Sequence, residues 1–201
     1  MTYYTLSDPC TATLEIKKSQ FLGFGFAIDS REQLMFHVEQ LRNQYPDARH
    51  VCYGYIIGDP HNTTSAGFDD DGEPSGTAGK PILNVLQHKG IGNCVVIVVR
   101  YFGGIKLGAG GLTRAYSSSA QAVVDNMNLH AFVPLSVIMI ETDFANESFV
   151  RHTLDGFNAT ILKVDYGKNV VLTVELAQKS VQVLSEKIGF YGNVKASEEP
   201  K

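Results

Sequence analysis

Cys94-Val95-Val96-Ile97-Val98-Val99-Arg100-Tyr101-Phe102 is the stretch on which the fold turns. Six consecutive apolar residues without polar alternation mark a strand covered on both faces, and therefore the centre of a sheet. The strand ends in a charge, Arg100, and runs into Gly103-Gly104-Ile105-Lys106-Leu107-Gly108-Ala109-Gly110-Gly111. Small and apolar residues over 112–126 then suit a closely packed helix.

Towards the N-terminus, Pro81 opens a short helix through Ile82, Leu83, Val85 and Leu86, closed by Gly90 at its C′ position. Residues 58–79 read as one loop of more than 20 residues, a length found mostly in functional or mobile segments. Residues 50–57 read as a strand. Leu34, Val38, Leu41 and Tyr45 recur at helical spacing, with Ser30 and Gln33 as a capping box before them and Pro46-Asp47 as a stop. Residues 13–28 read as two strands broken near Ser19 and Gln20.

Beyond residues 131–134 the pattern changes. Eleven of the 19 glycines lie between Gly67 and Gly111, whereas the later stretch has evenly spread turns. We therefore expect two abutting domains, 1–133 and 134–201. The second reads strand (135–142), helix capped by Asp143 with Phe149, Val150, Thr153 and Leu154 inward, and strand (159–166). A Gly167-Lys168-Asn169 turn leads to an alternating strand through Val170, Leu172, Val174 and Leu176. Ser180 caps a last helix through Val183, Leu184 and Ile188, and residues 191–196 form an edge strand. This βαββαβ order is the ferredoxin-like arrangement, and the fold class is α+β.

Composition excludes several function classes. With 201 residues, 44% hydrophobic and 19% charged, the chain can bury roughly 70% of its unfolded surface and is neither disordered nor fibrous. Its longest apolar run is far short of the roughly 18 residues of a membrane span, and its start lacks a signal peptide's features, so no membrane association and a cytoplasmic location are expected. A net charge of −4 argues against coating nucleic acid by bulk electrostatics, although a local basic patch remains open. Cys10, Cys52 and Cys94 are odd in number and lack a CxxC spacing, so neither a disulfide framework nor zinc is indicated.

The chemistry is concentrated between Asp69 and Arg114. Gly79-Lys80 resembles the end of a Walker A loop, but Pro74 and Pro81 replace its first glycine and its hydroxyl residue. Gly108-Ala109-Gly110 begins like GxGxxG, yet Thr113 stands at the third glycine. Asp69, Asp70, Asp71 and Glu73 could hold a hard cation but lack EF-hand spacing, and a solvated turn is preferred, so no metal or cofactor is expected. The remaining lead is an anion site on Lys80, Arg100, Gly103, Gly104, Lys106, Gly108, Gly110 and Arg114 before a helix N-terminus, with His50, Asp70, Asp71 and Glu73 as polar partners. In the alternative, the glycines serve tight turns and Arg100 pairs with Asp70 or Asp71. His50 beside Cys52 could act as base and thiol, but no third orienting group is visible and a core histidine is preferred. His37, His61, His88, His130 and His152 read as structural.

Asp70-Asp71-Gly72-Glu73-Pro74-Ser75-Gly76-Thr77-Ala78-Gly79-Lys80-Pro81-Ile82-Leu83 and Arg100-Tyr101-Phe102-Gly103-Gly104-Ile105-Lys106-Leu107-Gly108 closely resemble the signature of the IMPACT family (UPF0029), and the whole chain looks like its bacterial YigZ-type members. The resemblance implies an N-terminal α/β domain of the ribosomal-protein-domain-2 type, also seen in domain IV of elongation factor G. It implies a C-terminal ferredoxin-like domain similar to domain V of that factor. Eukaryotic relatives regulate translation by competing for an activator of a starvation-responsive kinase, using an additional N-terminal domain that this chain is expected to lack, so that kinase-pathway role is not carried over. No firm catalytic residue comes with the family.

The expected function is a non-enzymatic, translation-associated regulator that binds RNA or a ribosomal surface through phosphate contacts of Lys80, Arg100, Lys106 and Arg114. The alternatives are an enzyme acting on a small phosphorylated or nucleotide substrate, and a purely protein-binding regulator. We also expect residues 103–111 to lie beside the 58–79 loop.

Overall fold

The computed structural model describes residues 3–196. The chain divides into two compact units, Met1–Phe132 and Val133–Lys201.

The first unit is built on a five-stranded, fully antiparallel sheet ordered β2-β3-β6-β4-β5, formed by β2 (Cys10–Ile16), β3 (Ser19–Ala27), β4 (His50–Asp59), β5 (Asn62–Asp69) and β6 (Cys94–Tyr101). The apolar run is the central strand, β6. Val95, Ile97 and Val99 pack towards α1 (Arg31–Gln44), through Leu34, Val38 and Leu41. Cys94, Val96 and Val98 join the opposite core with Ile82 and Leu86 of α2 (Gly79–Lys89) and Tyr116 and Val123 of α3 (Ala109–Asp125). A helix layer on each face is why the strand needs no polar side. Two short strands the sequence reading did not contain, β1 (Tyr3–Leu6) and β7 (Leu129–Phe132), pair with each other.

Three expectations need correction. The stretch 58–79 is not one loop, because Asn62–Asp69 doubles back on β4 as an edge strand. Its Asn62, Thr63 and Thr64 are exposed and Ser65 is only half-buried, with no apolar alternation, so periodicity could not reveal it. The break between the first two strands falls at Lys17 and Lys18, ahead of Ser19, where both residues have positive φ (49° and 65°). That is the demand of a two-residue hairpin turn usually met by Asn-Gly. In the α1 cap, Ser30 accepts from the Gln33 amide as expected, but Gln33 Oε1 accepts from the Asp29 amide.

The second unit has strand order β11-β8-β10-β9 in a four-stranded antiparallel sheet, the ferredoxin-like arrangement. Its elements are β8 (Leu135–Thr142), α4 (Glu147–Asp155), β9 (Thr160–Tyr166), β10 (Val170–Ala177), α5 (Val181–Ile188) and β11 (Asn193–Ala196). Val170, Leu172, Val174 and Leu176 all face the core with Val150, Leu154, Leu184 and Ile188. The α4 cap is Asn146, whose amide donates to Asp143 Oδ1. Phe149 and Val183 are exposed rather than inward, and the Ser180 side chain makes no cap bond. Among the described residues, no helix is long and apolar enough to cross a membrane.

Candidate functional site

Strand register gathers the site. Arg100 near the end of β6 stands opposite His50 at the start of β4, so the loops following β6 and β5 and the segment preceding β4 all emerge at one end of the sheet. Between them lies a cavity of about 380 Å³ lined by Arg49, His50, Glu73, Pro74, Arg100 and Phe102, and then by Lys106, Leu107, Gly108, Ala109 and Leu112.

Arg100 and Glu73 form its buried wall, 6% and 8% exposed respectively. The guanidinium Nη1 donates to Glu73 Oε1 at 2.5 Å, and the Tyr116 hydroxyl donates to the same oxygen at 2.8 Å. The expected partners of Arg100, Asp70 or Asp71, are therefore wrong: both of those carboxylates are taken by other donors. Asp70 accepts the backbone N–H groups of Gly76, Ala78 and Gly79, closing the loop onto the start of α2. Asp71 accepts from the Val51 amide and from Arg42. Among the described residues no acidic, His or Cys cluster could hold a metal ion.

The Arg100 guanidinium lies 5.5 Å from the Phe21 ring centroid and 5.8 Å from that of Phe102. Its Nε–H is buried without an acceptor among the described residues. On the open side, Arg49 and Lys106 are exposed and make no hydrogen bond or ion pair with a described residue. Asp47, at the same end of the sheet, does not line the cavity.

Helix α3 points its N-terminus at this space. Its first residue, Ala109, and its N-cap, Gly108, line the cavity; Gly108 has φ +71°, no side chain caps the helix, and its first turn carries no acid. The first amides of such a helix lack internal acceptors and carry partial positive charge. Gly103 serves another purpose. A Cβ there would lie 1.9 Å from the Lys18 carbonyl carbon, so the loop can pass the 17–18 hairpin only as glycine. The Gly103 amide also donates to Ser19 Oγ.

Of the residues expected in an anion site, Arg100, Lys106 and Gly108 line the cavity, as do His50 and Glu73 among the polar partners. Lys80, Gly103, Gly104, Gly110, Arg114, Asp70 and Asp71 do not. Residues 103–111 and the acidic loop do meet here, through Lys106 to Ala109 on one side and Glu73 and Pro74 on the other. Sequence reasoning missed Arg49 and the platform of Phe102, which is 52% exposed. Arg49 precedes a strand whose neighbour only the fold reveals.

His50 and Cys52 do not form a base-and-thiol pair. His50 Nδ1–H donates to the Asp71 carbonyl, with Nε2 4.0 Å from Glu73. The Cys52 thiol lies 3.0 Å from the Asp70 carbonyl and 3.4 Å from the Tyr116 hydroxyl. Burial pushes the pKa of Cys52 well above that of an ordinary thiol, and burial likewise pushes Tyr116 up, with Cys52 and Glu73 adding to the effect. Burial also raises Cys10 and Cys94. Iodoacetamide at pH 8 is accordingly expected to label the native protein slowly at all three cysteines and rapidly only after denaturation, as read by intact mass. Fast native labelling of Cys52 would contradict its protonated, buried state.

Comparison with known proteins places this site in a family. Residues 17–124 match the Impact N-terminal domain, and residues 140–189 match a domain of unknown function, DUF1949. The chain is 36% identical over 180 residues to the IMPACT family member YigZ of Escherichia coli (strain K12), covering 90% of this chain and 88% of that one. A crystal structure of a hypothetical protein superposes with a TM-score of 0.71 at 33% identity, covering 99% of this chain and 98% of that chain. The two-domain translational regulator Yih1 aligns with a TM-score of 0.35 at 27% identity, covering 61% of this chain and 46% of that one. With both domain models matched and the likeness to YigZ running along nine-tenths of its length, the chain belongs to the IMPACT family, as a bacterial YigZ-type member.

Proposed function

We propose that the protein is a non-enzymatic, translation-associated regulator whose N-terminal domain binds RNA phosphates at the head of α3. The translational setting is the one the family resemblance implies. The observation that carries RNA binding is the division of charge around the cavity. Its single lining carboxylate, Glu73, is taken by Arg100 and Tyr116, whereas Arg49 and Lys106 have no partner among the described residues and flank an uncapped helix N-terminus. A chain of net charge −4 thus offers unspent positive charge locally, which favours contact at one place over coating. Two exposed lysines, Lys17 and Lys18, sit in the hairpin against Gly103 and would extend the phosphate track.

A binding role rather than catalysis is supported by the titratable groups themselves. Cys52 and Tyr116 are held protonated by burial, and the Glu73 carboxylate is already shared by two donors, so none of these three is poised as a nucleophile or general base. His50, which also lines the cavity, has no nucleophile beside it to activate among the described residues, since Cys52 turns to the Asp70 carbonyl and Tyr116.

The test is fluorescence anisotropy with several single-stranded RNAs across a salt series. Binding should be similar across sequences. Lys106→Ala should leave the melting temperature unchanged and reduce the slope of log affinity against log salt by about 1, as one lost phosphate contact requires. Absence of binding to any RNA at low salt, or an unchanged slope in the stable variant, would reject the reading.

A further inference from the structure

We infer that the cavity at the head of α3 takes a terminal phosphomonoester, the phosphate end of a nucleotide or of an RNA strand, in preference to an internal phosphodiester. The RNA form of this inference rests on the function proposed above.

Charge counting supports it. Arg100 is neutralised by Glu73, which leaves Arg49 and Lys106 as two full positive charges on the lining without acidic partners among the described residues. The start of α3 adds roughly half a charge. A phosphodiester brings one negative charge, whereas a phosphomonoester brings about 1.5 to 2 at pH 7 and a third terminal oxygen. The site's uncompensated charge matches the monoester.

A second observation, independent of the helix end, points the same way. Arg100 lines the cavity, is more than nine-tenths buried, and has an Nε–H with no acceptor among the described residues. Buried donors are ordinarily satisfied. This one belongs to a guanidinium whose Nη1 already holds Glu73, so one N–H of the residue that forms the cavity wall has no acceptor among the described residues, just beneath the surface the cavity exposes.

The surroundings suit a nucleotide rather than a bare anion. At Gly108, the glycine of the lining, no atom beyond its chain neighbours lies within 4 Å of where a Cβ would stand, so a ligand can approach the backbone closely there. Phe102 offers a half-exposed ring, stiffened from one side by the Arg100 guanidinium, and an exposed aromatic face is a stacking platform for any base.

The experiment compares one short single-stranded RNA, internally labelled, carrying a 5′-phosphate, a 3′-phosphate or hydroxyls at both ends, by anisotropy at a single ionic strength. Adenosine monophosphate and adenosine serve as competitors. A phosphorylated end should tighten binding by about tenfold or more, and adenosine monophosphate should compete where adenosine does not. Arg49→Ala and Lys106→Ala, both at exposed positions, should melt as the wild type does and cut the gain to below about threefold. Equal affinity for phosphorylated and hydroxyl-ended RNA would overturn the inference while leaving RNA binding intact. Direct binding of adenosine monophosphate, lost in Lys106→Ala, with no RNA bound, would overturn the RNA reading and keep the phosphomonoester site. If no probe binds, both fall.

Discussion

Replacing Glu73 by leucine is expected to destabilise the N-terminal unit by about 3 to 5 kcal/mol, the cost of leaving a buried guanidinium without its counter-charge. Arg100 is 6% exposed, and its guanidinium also stands over the rings of Phe21 and Phe102. Ring faces attract a cation by about 0.5 to 2 kcal/mol each, too little to replace a carboxylate. The reverse change, Arg100→Met, should cost less, for a chemical reason. A stranded carboxyl group can shed its charge by taking up a proton, whereas a guanidinium cannot lose its own. Tyr116, which already donates to Glu73, is also expected to remain as a partner in that variant.

The double variant Glu73→Leu with Arg100→Met separates a charge effect from a packing effect. Exchanging a buried ion pair for apolar residues of similar size is often nearly neutral, so the pair should lie within about 2 kcal/mol of the wild type and above the Glu73→Leu protein. Because the two units need not unfold together, stability is best read from hydrogen exchange of the β6 amides. A double variant as unstable as Glu73→Leu alone would mean that shape, not charge, fixes this wall. If the double variant is stable, it also tests Arg100 as a phosphate contact in a folded protein.

Much of the architecture was legible because its causes are local. The unbroken apolar run of β6 announces two covering layers, and the alternation of Val170, Leu172, Val174 and Leu176 announces one. Strand β5 was illegible for the converse reason, since an exposed edge strand needs no apolar face and Asn62–Asp69 has none. The site was legible in its residue types and not in its partnerships. Arg100 needed a buried acid, and four candidates stood between positions 69 and 73. Which one reaches it depends on a turn with Asp71 and Gly72 both at positive φ and on Asp70 being held by three amides. Only then does Glu73 point inward. Arg49 acquired a place in the cavity through the His50 to Arg100 register, a long-range pairing with no local signature.

Asp70→Ala is expected to give the other large effect, about 2 to 4 kcal/mol, because one carboxylate stands behind the whole acidic loop. Its Oδ1 accepts from Ala78 and Gly79 at 3.0 and 2.8 Å and its Oδ2 from Gly76 at 2.7 Å, all at or just before the start of α2. Losing an N-cap costs about 0.5 to 2 kcal/mol and a hydrogen bond to a charged group about 1.5 to 3, and the terms share one side chain, so they do not simply add. Asp70→Asn should cost less, since its amide oxygen can still serve the Ala78 and Gly79 donors while its NH₂ faces the Gly76 N–H. The functional consequence is distinctive. Asp70 lines no part of the cavity, yet it sets the loop that carries Glu73 and Pro74 into it, so RNA affinity should fall while the salt slope stays that of the wild type, no phosphate contact having been removed. Magnesium separates this account from a cation site. If the acidic cluster bound a hard cation, millimolar magnesium would raise the melting temperature of the wild type and not of Asp70→Asn. With the carboxylate already filled by backbone amides, magnesium should shift neither, and a selective rise in the wild type would reverse the assignment of Asp70 from clamp to ligand.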